Sequence, residues 1–177
     1  SKDSISATTD PKYALTHSNV SFVIVPTPSL DDGSFSTKYV EAVAAEIGSL
    51  MRTKEDYHLV VITSTILPGD AETIVNLLER TSGKRCGKDF GVCYNPDFIA
   101  LGSVIRNFLN PDMILIGESD KKAGSMLEDI HTRLVDNNPK IHKMSLYNSE
   151  LTKISLNAYC TLKITFANIL GEICEKI

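Results

Sequence analysis

The stretch HLVVITSTILPGDAETIVNLLER, residues 58–80, changes character in its middle. Its first part, HLVVITST (58–65), is a run of aliphatic and β-branched residues with no polar alternation, which fits a strand buried on both faces. Its last part, GDAETIVNLLER (69–80), spaces its apolar residues for a helix, with Asp70 as the expected N-cap. Between them lies a short loop that contains Pro68.

The same unit recurs on either side. NVSFVIVPTP (19–28) holds an apolar run from Phe22 to Val25, closed by Pro26 and Pro28. STKYVEAVAAEIGSLM (36–51) keeps the 3.6 period with Val40, Val43, Ala44, Ile47 and Leu50. DFGVCYNP (89–96) and PDMILIGES (111–119) are a third and a fourth strand, and KAGSMLEDIHTRLV (122–135) is a third helix. From Asn148 or Ser149, either of which can cap, a helix runs to Ile177. Its stripe is Leu151, Ile154, Ala158, Leu162, Phe166, Ile169 and Ile173. The alternation predicts an α/β fold with a parallel sheet and right-handed crossovers. The opening SKDSISATTDPK is polar and holds no clear strand, and both ends read as cut from a longer protein.

The bulk numbers exclude several classes. With 177 residues, 42% hydrophobic and 23% charged, the chain has the composition of a globular domain with a sizeable core. A net charge of -4 and the lack of any long basic run argue against nucleic-acid binding. No apolar run approaches the ~20 residues that span a bilayer, and the start has no signal-peptide pattern. Cys86, Cys93, Cys160 and Cys174 form no CxxC pair, so a zinc cage is not expected, and free thiols in a reducing cytoplasm are.

In open parallel sheets ligands bind beyond the carboxyl ends of the strands. Those ends read VPTP, TSTILPG and YNPDFIALG. Any one of them is an ordinary strand terminus, but all three fall on one edge. Lys153 and Asn157, at i and i+4 of the last helix, share one face: a solvated edge, or a cation and an amide aimed into a site. No GxGxxG and no GxxxxGK[ST] occurs.

Taken together, the loops and the long helix resemble the UDP-glucose/GDP-mannose dehydrogenase family, over about Ala7 to Ile177. VPTP looks like the strand-end loop that lies along NAD, and TSTILPGD like the family's STxPxG loop. YNPDFIALGSVIRNFLNPDMILIGE follows its NPEFLxEGxAxxDxxxPDRxxIG segment. SELTKISLNAYCTLKITFANILGEIC follows its central helix. The resemblance implies a partial Rossmann-like sheet with flanking helices, followed by that helix. Residues 1–147 would be the second part of the NAD-binding domain and 148–177 the start of the dimerisation helix.

It also implies an activity: oxidation of a nucleotide-sugar 6-hydroxyl (UDP-glucose type) to a uronate with two NAD. Lys153 and Asn157 would hold the sugar oxygen and a water ordered by Thr65, and an ammonium beside an amide donor suits a developing oxyanion. Pro26, Thr27, Pro28, Ser64 and Thr65 would line the cofactor, and Asp97, Phe98, Leu101, Lys153 and Asn157 the nucleotide sugar. A homodimer through the last helix follows, in the cytoplasm, with no metal, nucleic acid or membrane.

Two positions depart from the family. Asp97 stands for its first glutamate, and Leu101 for its second, a candidate acid/base that leucine cannot replace. The dinucleotide fingerprint is expected before Ser1 and the nucleophilic-cysteine loop after Ile177, so this stretch alone is expected to be inactive. The competing reading is a non-catalytic nucleotide-sugar-binding or oligomerisation module of the same fold. A β-hydroxyacid-type dehydrogenase, which also carries lysine and asparagine on a central helix, is disfavoured by NPDFIALG.

Overall fold

A computed structural model describes residues 5–99 and 102–177 of the chain. Five strands form one sheet in sequential order: β1 Val20–Val23, β2 His58–Ile62, β3 Phe90–Tyr94, β4 Met113–Glu118 and β5 Lys140–Ser145. Six helices connect and flank them: α1 Pro11–Thr16, α2 Lys38–Met51, α3 Asp70–Ser82, α4 Val104–Leu109, α5 Lys121–Leu134 and α6 Leu146–Cys174.

β2 and β3 are buried at every residue, as their continuous apolar runs require. One face of the sheet packs Val60, Ile62 and Tyr94 against Val40, Ala44, Ile74 and Leu78 of α2 and α3. The other packs Leu59, Val61 and Ile116 against Ala123 and Leu127 of α5. Gly48 lets α2 and α3 approach closely: a Cβ there would sit 1.9 Å from Thr81 Oγ1.

The sheet is not wholly parallel. β1, β2 and β3 run parallel and so do β4 and β5, but β4 opposes β3. A buried run reads the same in either direction, so the sequence carries no sign of the reversal. Only the last two residues of β4 pair with β3, Glu118 with Cys93 and Gly117 with Tyr94. The rest of β4 therefore extends past the carboxyl end of β3. That displacement brings β4, the end of α5 and the start of α6 to the edge where the three strand-end loops lie.

Two caps differ from expectation. The N-cap of α3 is Gly69, at φ 101°, and the Asp70 carboxylate turns back to accept the Leu67 N–H at 2.8 Å. The cap of α6 is Ser145 rather than Asn148 or Ser149, and its hydroxyl accepts the Asn148 N–H at 3.3 Å. Gly117 fixes where α6 crosses the sheet, since a Cβ there would lie 1.9 Å from Ser149 Oγ. Ser149, Glu150 and Lys153 are buried, whereas every residue from Asn157 onward is exposed.

Candidate active site

The three strand-end loops and α6 are tied together by three side chains. Ser64 joins the first two loops. Its hydroxyl accepts the Val25 N–H at 2.9 Å and donates to the Val25 carbonyl at 2.7 Å, which pins VPTP to TSTILPG. Pro26 and Pro28 then face solvent while Thr27 and Thr65 are half-buried along the same edge. The Ser64 proton is spent inside the protein, where the hydroxyl holds the two loops together.

Glu150 joins the second loop to α6. It is 1% exposed, and its two oxygens accept the Gly69 N–H at 2.8 Å and the Ala71 N–H at 2.7 Å. These are N–H groups with no partner inside α3, and a carboxylate is well placed at a helix N-terminus. Burial pushes the Glu150 carboxyl pKa up, and the two N–H bonds oppose it. Sequence reasoning missed Glu150. Its place three residues before Lys153 puts both on one helix face, but its partners lie about eighty residues away.

Lys153 joins α6 to the third loop. It is 8% exposed, its ammonium donates to the Asp97 carbonyl, and it lies 4.6 Å from the Phe98 ring centroid. Burial lowers its pKa, with the Asp97 charge opposing. Desolvation raises the Asp97 carboxyl in turn, against the Lys153 charge. Asn157, one turn further along, is exposed. The i, i+4 pair is thus divided, with the cation packed into the loop and the amide open to solvent. The Leu101 position lies outside the described residues.

Beside this cluster a cavity of about 450 Å³ opens between Asp97, Phe98, Phe108, Met113, His131 and Leu156. It is half apolar and ringed by polar groups from three elements, which suits a polar organic ligand. His131 was not singled out from the sequence, where it reads as one polar residue on an amphipathic helix.

The N–H groups of Gly69 and Ala71, a natural phosphate cradle, are filled by Glu150. That leaves the exposed Pro26 and Pro28 and the half-buried Thr27 and Thr65 as the surface that a dinucleotide would lie along. They supply no glycine-rich turn for a pyrophosphate. Among the described residues no cluster of metal-binding side chains occurs, and no helix is long and apolar enough to cross a membrane.

Comparison with known proteins agrees with this architecture. Residues 1–135 match the model of the UDP-glucose/GDP-mannose dehydrogenase family, NAD binding domain. The chain is 41% identical to a GDP-mannose 6-dehydrogenase of Pseudomonas aeruginosa over 98% of its length and 39% of that protein's. It is 35% identical to a UDP-glucose 6-dehydrogenase of Haloferax volcanii, over 98% of this chain and 41% of the other. Among solved structures, a ternary complex of GDP-mannose dehydrogenase from Pseudomonas aeruginosa superposes with a TM-score of 0.86 at 40% identity, covering 91% of this chain and 36% of that one. The chain thus spans about two fifths of the length of the curated relatives it matches.

Proposed function

The chain belongs to the UDP-glucose/GDP-mannose dehydrogenase family, and from that premise we propose that it is part of an NAD-dependent nucleotide-sugar 6-dehydrogenase. The full protein would oxidise the 6-hydroxyl of its sugar to a carboxylate in two steps. The first removes a hydride and a proton to give the aldehyde. The second adds a water, whose oxygen stays in the carboxylate, and removes a second hydride with the remaining protons. When bound, NAD would accept the hydride of each step.

The chain's own residues would serve the sugar oxygen, the water and the edge along which the cofactor lies. Lys153, held by the Asp97 carbonyl and the Phe98 ring, places a fixed positive charge where the sugar oxygen becomes anionic. Asn157 adds an amide donor from the same helix face. Thr65 orients a water on the loop that Glu150 anchors. The 450 Å³ cavity beside Asp97 and Phe98 takes part of the nucleotide sugar. Residues 1–147 serve NAD, and 148–177 begin the helix that joins two subunits. The observation that carries this reading is the burial of Lys153 against the NPDF loop. An idle lysine keeps its ammonium in water.

Two sugars are in view. The family resemblance implies a substrate of the UDP-glucose type, while the 41% identity to a GDP-mannose enzyme favours GDP-mannose. The test is NADH formation by the full-length protein with each nucleotide sugar. Two NADH per uronate with one sugar and none with the other assigns the substrate. Binding of a nucleotide sugar with no NADH from either would instead support the non-catalytic module.

A further inference from the structure

Asn95 follows β3 directly, and the next residue is a proline. Continuing the β3–β4 register places Pro96 opposite Leu115. Proline has no N–H to give, so the ladder stops there and the Leu115 carbonyl, in a residue 1% exposed, loses its expected donor. Asn95 replaces it: Nδ2 donates to the Leu115 carbonyl at 2.9 Å.

That bond fixes which way the amide points. Its oxygen faces α5, where His131 Nε2 lies 2.8 Å from Asn95 Oδ1. An amide oxygen only accepts, so Nε2 carries the proton and the ring is held as the Nε2–H tautomer. Burial lowers the His131 pKa, in keeping with a neutral ring. The Asn95 backbone N–H meanwhile donates to the Ile62 carbonyl at 2.8 Å. Asn95 is therefore gripped from β2, β4 and α5 together. Two residues later comes the carbonyl that receives Lys153.

We propose that His131 is a positioning residue of this site: by locking the Asn95 amide it sets the Asp97 carbonyl and hence the Lys153 ammonium. The proposal rests on the dehydrogenase reading of Lys153. In the full-length protein, His131→Leu removes the donor, and His131→Gln keeps an amide N–H that can reach Asn95. His131→Leu should lower kcat roughly tenfold, as for a misplaced catalytic group, over and above any change in KM that follows from its place in the cavity lining. His131→Gln should recover most of the loss. A kcat for His131→Leu within about twofold of the parent overturns the proposal. So does a glutamine variant as slow as the leucine one at matched thermal stability, because packing alone would then be at work.

A second readout does not need turnover. The 13Cε resonance of Lys153 in protein labelled at lysine should move toward the exposed-lysine position in His131→Leu and return in His131→Gln. An unmoved resonance in His131→Leu also overturns the proposal. If the parent protein oxidises no nucleotide sugar, the functional reading fails, while the Lys153 resonance still decides whether His131 positions the ammonium.

Discussion

Removing the Lys153 ammonium would leave the Asp97 carbonyl without its donor and the Phe98 ring without its cation. Because the charge is proposed to meet an oxyanion that exists only in the transition state, Lys153→Ala should lower kcat far more than it raises KM. A loss on the order of 10²-fold is expected. Steady-state kinetics of the full-length variant decide it, and a near-normal kcat would return Lys153 to a structural role. Glu150→Gln tests the neighbouring anchor. The amide keeps one acceptor but turns an NH₂ toward a backbone N–H, so one charge-assisted bond is lost and a donor faces a donor. Urea denaturation should show a loss of roughly 2 kcal/mol, and a variant as stable as its parent would mean that the α3 N-terminus finds other partners. At this scale the sequence told one half of the story. Spacing marked Lys153 and Asn157 as sharing a face, but no spacing rule connects Glu150 to Gly69, Asn95 to Leu115 or His131 to Asn95. Those pairs exist only once β4 and α6 have come to the loop edge.

Elements with a strong period were legible, and those without one were not. β2, β3, α2, α3 and α5 follow from continuous apolar runs or 3.6-residue stripes, and they lie within a few residues of where those patterns place them. β5 has exposed lysines at both Lys140 and Lys143, and as an edge strand beside β4 it shows no apolar run. α1 and α4 have six residues each, too few for a period to declare itself. α6 poses the opposite case: its stripe is legible, but no covering for it lies among the described residues. Leu162 is 65% exposed, Phe166 61% and Ile173 51%, with Tyr159 and Ile164 exposed as well. Each such side chain gains ~1.5–3 kcal/mol on full burial, and an apolar surface this long on one helix marks an association site. The helix is therefore expected to pair with its copy about a two-fold axis. Sedimentation at micromolar concentration should give a dimer, and Leu162→Asp with Phe166→Asp should give a monomer. A monomeric parent protein would mean that another part of the full protein covers the stripe.

At the scale of the whole molecule, the sheet separates chemistry from support. The candidate site gathers at the carboxyl edge of β1, β2 and β3, while the opposite edge holds His58 at the start of β2. His58 is 1% exposed, and its Nε2 lies 2.9 Å from Ser21 Oγ. Burial, with the nearby Lys54 charge, lowers its pKa to about 4, from an ordinary value near 6.5. The sign of the consequence follows from which state takes up the proton. Above about pH 6.5 neither the folded nor the unfolded ring is charged, and stability does not depend on this group. As pH falls from about 6.5 to about 4 the unfolded chain binds a proton that the folded one refuses, so stability is lost across that window. The full loss is roughly 3 kcal/mol. His131, lowered by its own burial, acts in the same direction. Asp97 and Glu150, both raised, act in the other, because the folded state holds their protons more tightly, but only as pH falls through the carboxylate range. Denaturation series at pH 7.5, 6.0 and 4.5 should therefore show stability falling first between 7.5 and 6.0 and more steeply toward 4.5. His58→Gln, which cannot take up a proton, should flatten most of that slope. A parent protein equally stable at all three values would show that the ring charges in place, with water reaching the foot of the sheet.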